Sequence, residues 1–222
     1  MSAAEFDQHA DDYEGLLDHS LLGEEASYFY EHKVRYLERI VGAGFAGKIL
    51  DFGCGIGRLS EGLGARFPGA TLHGYDPSLR SLERVPAPLR EAGTFTSDLE
   101  ALGRDYDLIT LVNVLHHVPV PERPALVAGL AGRLAPGGRL VVIEHNPLNP
   151  ATRLVVSRCA FDEDAVLLGR REVQGLLRGA GLRRERADYV LFFPQPLARL
   201  ARAERFLGWL PLGAQFAAVF RR

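Results

Sequence analysis

The sequence predicts an α/β fold: a doubly wound, mostly parallel sheet with helices on both faces. Three observations predict it. Short apolar runs alternate with helical stretches, a glycine-rich turn joins the first run to the helix after it, and acidic residues close successive runs. Strands that alternate with helices need right-handed crossovers, and these stack helices on both sides of the sheet.

The elements follow in order. Residues 1–44 are expected to form an N-terminal helical lid or cap, and residues 45–222 one globular domain. In the cap, 27–41 reads as an amphipathic helix with Val34, Leu37, Ile40 and Val41 at helical spacing, ended by Gly42 and Gly44. Apolar runs at 48–52, 71–75, 107–114, 139–144, 189–193 and 216–220 read as strands. Helices at 58–66, 78–85 and 123–134 lie between the first four. A long connection, 145–188, holds one clear helix at 171–180. The last two runs have only a short helical piece between them, too short for a parallel return, so the final strand is expected to be antiparallel.

Composition narrows the class. The chain has 222 residues, 47% hydrophobic and 24% charged, which suits a globular unit with a full core. Two cysteines, Cys54 and Cys159, are too few for a disulfide scaffold, so a reducing, cytoplasmic setting is expected. No apolar run reaches the ~18 residues of a membrane span, and the acidic start MSAAEFDQHADDYE is no signal peptide. Charge is uneven. Residues 1–152 hold 13 basic and 21 acidic residues (net −8), and residues 153–222 hold 13 and 7 (net +6). Since 24 of the 26 basic residues are Arg, biased composition explains this better than a nucleic-acid partner. LARLARAERFLGWL, with Arg199, Arg202 and Arg205, reads either as a helix over the sheet or as a peripheral membrane or lipid contact.

The chemistry gathers at ILDFGCGIGRLSEGL. Gly53, Gly55 and Gly57 sit at the strand-to-helix turn, where glycines let the backbone turn sharply and a ligand touch the main chain. Asp51 stands at the strand end. Asp76, 19 residues past Gly57, ends the next strand, where a nucleotide site places the acid that holds ribose hydroxyls. Asp98 ends the third. Asp76 and Asp98 can each also be read as helix N-caps. GAGFAGKI mimics a phosphate loop but lacks the following Ser or Thr and precedes its strand.

These residues resemble the class I S-adenosylmethionine-dependent methyltransferases. ILDFGCGIGR, GYDPS, SDLE, DLITLVNVLHHVP and APGGRLVVIE carry the likeness over about residues 45–145, and NVLHHV is typical of the small-molecule branch. EHNPLNPATR, FDEDAVLL and LPLGAQFAAV look like a bacterial subgroup. The resemblance implies a Rossmann-like, seven-stranded, mostly parallel sheet with an antiparallel last strand. It implies S-adenosylmethionine as cofactor, with S-adenosylhomocysteine as product. Gly53, Gly55 and Gly57 would contact its methionine end, with Cys54 in the same loop, and Asp51 would sit near its amino group. Asp76, followed by Pro77, would hold the ribose, Asp98 and Leu99 the adenine, and Asn113 would stand beside the sulfonium. Tyr13 and Phe6, in FDQHADDYE, would close a lid. The dinucleotide fingerprint G-x-G-x-x-G is not met, since Arg58 follows Gly57.

Methyl transfer needs alignment and exclusion of water, and needs a base only where the nucleophile must lose a proton. His116, His117, Glu144 and His145 are the candidate catalytic residues, with His145 favoured as base. Asn146, Tyr28 and His117 are candidate substrate contacts. Asp162, Glu163 and Asp164 cannot converge on a metal from consecutive positions, so no metal is expected. The N-P-P-aromatic signature of flipped-base enzymes is absent. The function expected is methyl transfer to O, N or C of a small molecule. The alternatives are another use of the same cofactor, such as cyclisation of its aminobutyrate arm, or a non-catalytic cofactor-binding protein.

Overall fold

The structure is a computed structural model that describes residues 26–159 and 165–222. The lid residues Phe6 and Tyr13, and the acidic Asp162, Glu163 and Asp164, lie outside the described residues.

Helix α1 (Ala26–Val41) leads into β1 (Lys48–Phe52), α2 (Arg58–Arg66) and β2 (Thr71–Tyr75). Two short helices, α3 (Leu79–Glu83) and α4 (Ala87–Ala92), precede β3 (Phe95–Thr96) and β4 (Tyr106–Val112). Then come α5 (Arg123–Arg133), β5 (Leu134–His145), α6 (Pro150–Val156), α7 (Arg170–Gly179) and β6 (Arg183–Val190). A 3-10 run, Gln195–Phe206, and a turn lead to β7 (Gln215–Arg221).

The seven strands form one sheet in the order β3-β2-β1-β4-β5-β7-β6. All pairs are parallel except those of β7, which runs antiparallel to both β5 and β6. The strand order reverses direction between β1 and β4, so the crevice for a ligand opens above the carboxyl ends of these two strands.

Alternation along the central strands feeds two cores. Leu50, Phe52, Ile109, Leu111, Val142 and Phe216 face α5 and α7, against Val127, Leu130, Val173 and Leu177. Ile49, Leu108, Val141, Ile143 and Val219 face α1 and α2, against Val34, Leu37, Leu59 and Leu63. Both faces are covered, which is why these strands read as continuous apolar runs rather than alternating ones.

Element limits shift for local reasons. β4 stops at Val112 rather than at 114, because Asn113 adopts a φ of 56° and turns the chain out of the sheet. β5 starts five residues earlier than the apolar run, through the glycine turn at Gly137 and Gly138. β6 begins at Arg183, six residues before its apolar run. As the sheet's edge strand it exposes Arg183, Arg184, Glu185 and Arg186, a pattern that hides its strand character and blocks edge pairing. The helix expected at 78–85 is the shorter α3, ending at Glu83, and α4, which was not expected, follows the Val85–Pro86 step. α6 was not expected. Asn149 caps it, accepting from the Ala151 and Thr152 amides. The LARLARAERFLGWL stretch forms the 3-10 run and turns, with Leu197, Leu200, Phe206 and Trp209 exposed. Among the described residues no helix is long and apolar enough to cross a membrane.

Candidate active site

The site grows from the carboxyl end of β1. Past Phe52, Gly53 and Gly55 adopt φ values of 80° and 52°, a region that costs side chains with a Cβ. A Cβ on Gly53 would lie 2.4 Å from Val114 Cγ2, so the loop must approach the β4 turn at bare backbone. Gly55 has nothing within 4 Å of where its Cβ would be, leaving its main chain open to a ligand.

Three acids surround this loop in different states. Asp51 is buried beneath it and accepts from Ser60 Oγ at 2.7 Å and Thr110 Oγ1 at 3.0 Å. Burial raises its carboxyl to about 6, against the pull of those two hydroxyls. Asp76, at the end of β2, accepts from the Gly55 amide at 2.8 Å and the Ser78 amide at 2.9 Å. It therefore ties the loop to the next strand at the cavity wall. Asp98 caps the 3-10 turn at Leu99–Ala101, accepting from the Glu100 amide, and is exposed. Leu99 lines the cavity and Asp98 does not.

The ends of β4 and β5 build the opposite wall. The Asn113 amide donates to Ile143 O, and its Oδ1 accepts from Gln215 Nε2 at 2.9 Å. Glu144, 1% exposed, accepts the Val114 and Leu115 amides on one oxygen, at 3.0 and 2.7 Å. Its other oxygen lies 2.6 Å from His116 Nδ1. Burial works to raise the Glu144 carboxyl, but the His116 ring, His145 and the Leu115 amide outweigh it and hold it below the usual carboxylate range. The rings of His117 and His145 lie 4.0 and 5.2 Å from that of His116, centroid to centroid.

One cavity of about 1040 Å³ joins these parts. Asp51, Gly53, Cys54, Gly55, Asp76, Pro77, Leu99, Asn113, His116, His117 and His145 all line it. Cys54 is buried there, and burial pushes its thiol well up. Gly57 shapes the turn from outside the lining, with a φ of 84° against Val85. Glu144 stands behind His116 rather than on the wall, because its oxygens are taken by the amides and the ring.

Two expected substrate contacts sit elsewhere. Asn146 is buried off the wall. Its amide nitrogen donates to Pro211 O and Gly213 O, and its Oδ1 accepts the Leu148 amide, so it pins the turn before β7. Tyr28 is buried and donates to Phe193 O at 2.9 Å, which leaves Phe29 and Tyr30 to face the cavity. Asn149, Phe192, Phe193 and Gln215 were not expected on the wall, and neither was Lys33. The sequence did carry a signal for Lys33, a lysine one turn before Leu37 on the apolar face of α1. Among the described residues no group of three or more His, Cys, Asp or Glu side chains is arranged to hold a metal ion.

The lining fits an adenosyl amino acid. Open main chain at Gly55, an acid beside it at the end of β2, and apolar surface at Leu99 stand where a nucleoside and its chain would need them.

Comparisons with known proteins agree. A family model described as a methyltransferase domain matches residues 23–203. A ubiquinone biosynthesis O-methyltransferase of Nitrosomonas europaea is 33% identical over 130 residues, covering 55% of this chain and 53% of that protein. A trans-aconitate 2-methyltransferase of Methylobacterium radiotolerans is 35% identical over 136 residues, covering 58% and 50%. These matches span about half the length of the curated relatives. The crystal structure of a SAM-dependent methyltransferase from Archaeoglobus fulgidus superposes with a TM-score of 0.70 at 15% identity, covering 95% of this chain and all of that one, a likeness of fold.

Proposed function

Because the chain belongs to the methyltransferase-domain family, we propose that it moves the methyl group of S-adenosylmethionine to an oxygen, nitrogen or carbon of a small molecule. The observation that carries this reading is the single cavity joining the open glycine loop and Asp76 to the histidines past β4 and β5. Donor and acceptor sites share one cavity, as an in-line displacement requires.

The bound cofactor supplies an electrophilic methyl group on a sulfonium. The chain's own residues do the rest. Gly53 and Gly55 seat the amino-acid end against bare backbone. Asp76 accepts the ribose hydroxyls, and Leu99 packs against the base, with Asp98 beside it at the rim. Asn113, held by Gln215 and by its strained backbone, faces the reacting centre. Phe29, Tyr30, Phe192 and Phe193 exclude water from the acceptor side.

Where the acceptor must lose a proton, the geometry favours His116 as base over the expected His145. Glu144 Oε2 lies 2.6 Å from His116 Nδ1, which orients the ring and favours a proton on that nitrogen. Glu144 is then a positioning residue, and His117 and His145 border the acceptor. The relatives act on different acceptors by their names, so the acceptor is identified only as a small molecule.

The test is incubation of the purified protein with S-adenosylmethionine and a panel of phenols, amines and organic acids, read by mass. A product heavier by one methylene unit, formed together with S-adenosylhomocysteine, supports the reading. Release of methylthioadenosine without any methylated product overturns it in favour of cyclisation.

A further inference from the structure

The connection between β6 and β7 exposes more apolar side chain than a helix covering the sheet would. Trp209 is 73% exposed, Phe206 66% and Leu212 60%, and Leu197 and Leu200 are exposed with them. In a 3-10 winding, side chains three residues apart stand in one row. Past the kink at Leu197, one row holds Leu200, Ala203 and Phe206 and the next holds Arg199, Arg202 and Arg205, and both rows are exposed. The third row, Ala201, Glu204 and Leu207, turns inward, where Glu204 takes the Leu191, Phe192 and Phe193 amides. Residues 146–159 are fastened to the end of this connection: Asn146 donates to Pro211 O, Asn149 to Leu212 O and Thr152 to Ala214 O. They add exposed Leu148 and Leu154, with Arg153 and Arg158.

We propose that this face, built from residues 146–159 and 194–213, is a docking surface for an anionic lipid bilayer: Phe206, Trp209 and Leu212 enter the headgroup layer, and the arginines meet lipid phosphates. The proposal stands independently of the methyl-transfer reading.

Charge selects the occupant. In these two segments the exposed charges are Arg153, Arg158, Arg199, Arg202 and Arg205, and the one acid, Glu204, is buried. Asp188, which approaches the turn at Gly208, is already occupied by Tyr36 Oη and Arg186. Each such arginine gains from the negative potential of an anionic leaflet. Trp209 and Phe206 suit the layer where one side of a ring is apolar and the other wet, and arginine stems can lie along it with their heads at the phosphates. A second copy of the chain fits worse, because a two-fold contact would set the arginine rows against each other. A nucleic-acid backbone would satisfy the arginines but leave Leu200, Phe206 and Leu212 in water. The same segments also line the cavity, through Phe192, Phe193 and Pro194 at the start of the connection and Asn149, Thr152 and Val155 at α6. A docked chain therefore holds its cavity beside the bilayer.

Trp209 is the only tryptophan of the chain, so intrinsic tryptophan fluorescence reads this face alone. The experiment titrates the whole chain with vesicles of phosphatidylcholine, with and without phosphatidylglycerol. With phosphatidylglycerol, Trp209 emission should shift to the blue, be quenched by brominated lipid and lose its access to acrylamide. Phosphatidylcholine alone should do far less, and added salt should reverse the binding. The triple variant Arg199→Gln, Arg202→Gln, Arg205→Gln should bind the anionic vesicles at least tenfold more weakly, and Phe206→Ser at least threefold more weakly. All four side chains are exposed, so both variants should keep the wild-type circular dichroism and melting temperature. Vesicles that leave the emission unchanged overturn the proposal, and so does binding that leaves Trp209 open to acrylamide or that the triple variant retains in full. A chain that scatters light as a dimer, with Trp209 shielded before lipid is added, overturns it in favour of a second copy. The same shielding in a monomer overturns it in favour of a cover from residues 1–25. A blue shift with single-stranded DNA and none with vesicles overturns it in favour of nucleic acid.

Discussion

Single side chains in this cavity trade stability for readiness. Lys33 holds its proton less tightly in the folded chain than in the unfolded one, about 8 against 10.5. Below pH 8 the buried ammonium therefore costs the fold its full penalty, about 3 kcal/mol. That cost fades as pH rises toward 10.5, where the folded chain has already released the proton that the unfolded chain is only beginning to lose. Lys33→Met should accordingly be more stable than wild type to urea at pH 7 by up to about 3 kcal/mol, with the gap closing by pH 10.5. A variant less stable than wild type at pH 7 would contradict this. Asp76 has the opposite character, since it supports both the loop and the proposed ribose contact. Asp76→Ala should weaken S-adenosylhomocysteine about 10- to 100-fold by calorimetry, the worth of one or two hydrogen bonds to a charged group. Unchanged affinity would remove the ribose assignment. At this scale the sequence was readable where chemistry and position coincide. Asp76 follows an apolar strand at a telling distance from the glycines, and the structure brings it to Gly55. Lys33 was overlooked because helical periodicity marks where a side chain points and says nothing of the empty space it points into. Asn146 looked like a ligand contact because short polar residues after a strand often are. Only the distant chain at Pro211 and Gly213, which it binds, reveals its structural task.

The elements are joined by a few buried carboxylates. Glu144, the penultimate residue of β5, gathers the first two amides of the turn after Asn113 together with His116, and so fixes how β4 hands over to the histidines. Glu204 acts similarly on the far wall. It accepts the Leu191, Phe192 and Phe193 amides where Leu191 takes a φ of 61°, and holds that wall toward α1 through His32. Glu144→Gln leaves one neutral acceptor for three donors. It should lower unfolding stability by about 2 kcal/mol and reduce turnover more than tenfold, while S-adenosylhomocysteine affinity changes less than about threefold. The pH–rate profile should lose or displace its limb near neutrality, which a purely structural role would not do. An unchanged profile would return the base assignment to His145. Buried elements were legible from apolar runs: β1, β2 and the middle of β4, β5 and β7 stand where the pattern put them. β6 was legible only in its last two residues, because an edge strand that guards itself with Arg183, Arg184 and Arg186 lacks the apolar signal. The 3-10 run at Gln195–Phe206 resembles an amphipathic helix in sequence, but the non-helical backbone at Leu197 kinks it within its first turn.

Over the whole molecule, the sheet order explains why so much chemistry falls in one place. β1 and β4 are adjacent in space but separated in sequence, and their crossovers leave on opposite sides, which opens the crevice that the glycine loop and Asn113 share. The antiparallel β7, inserted between β5 and β6, brings Gln215 across to Asn113 and closes the same crevice from the C-terminal end of the chain. The doubly wound sheet and its antiparallel last strand followed from alternation, from the glycine turn and from the resemblance those residues carry. The acceptor wall did not, because Phe29, Asn149 and the Phe192–Phe193 pair come from three separate segments that only the closed fold assembles. The central claim is that this crevice is built for an adenosyl sulfonium and not for a dinucleotide. Parallel calorimetric titrations of the wild-type chain with S-adenosylhomocysteine and with NAD test it most directly. The account predicts one site per chain for S-adenosylhomocysteine at micromolar affinity and no measurable heat with NAD. Binding of NAD, with none for S-adenosylhomocysteine, would contradict it.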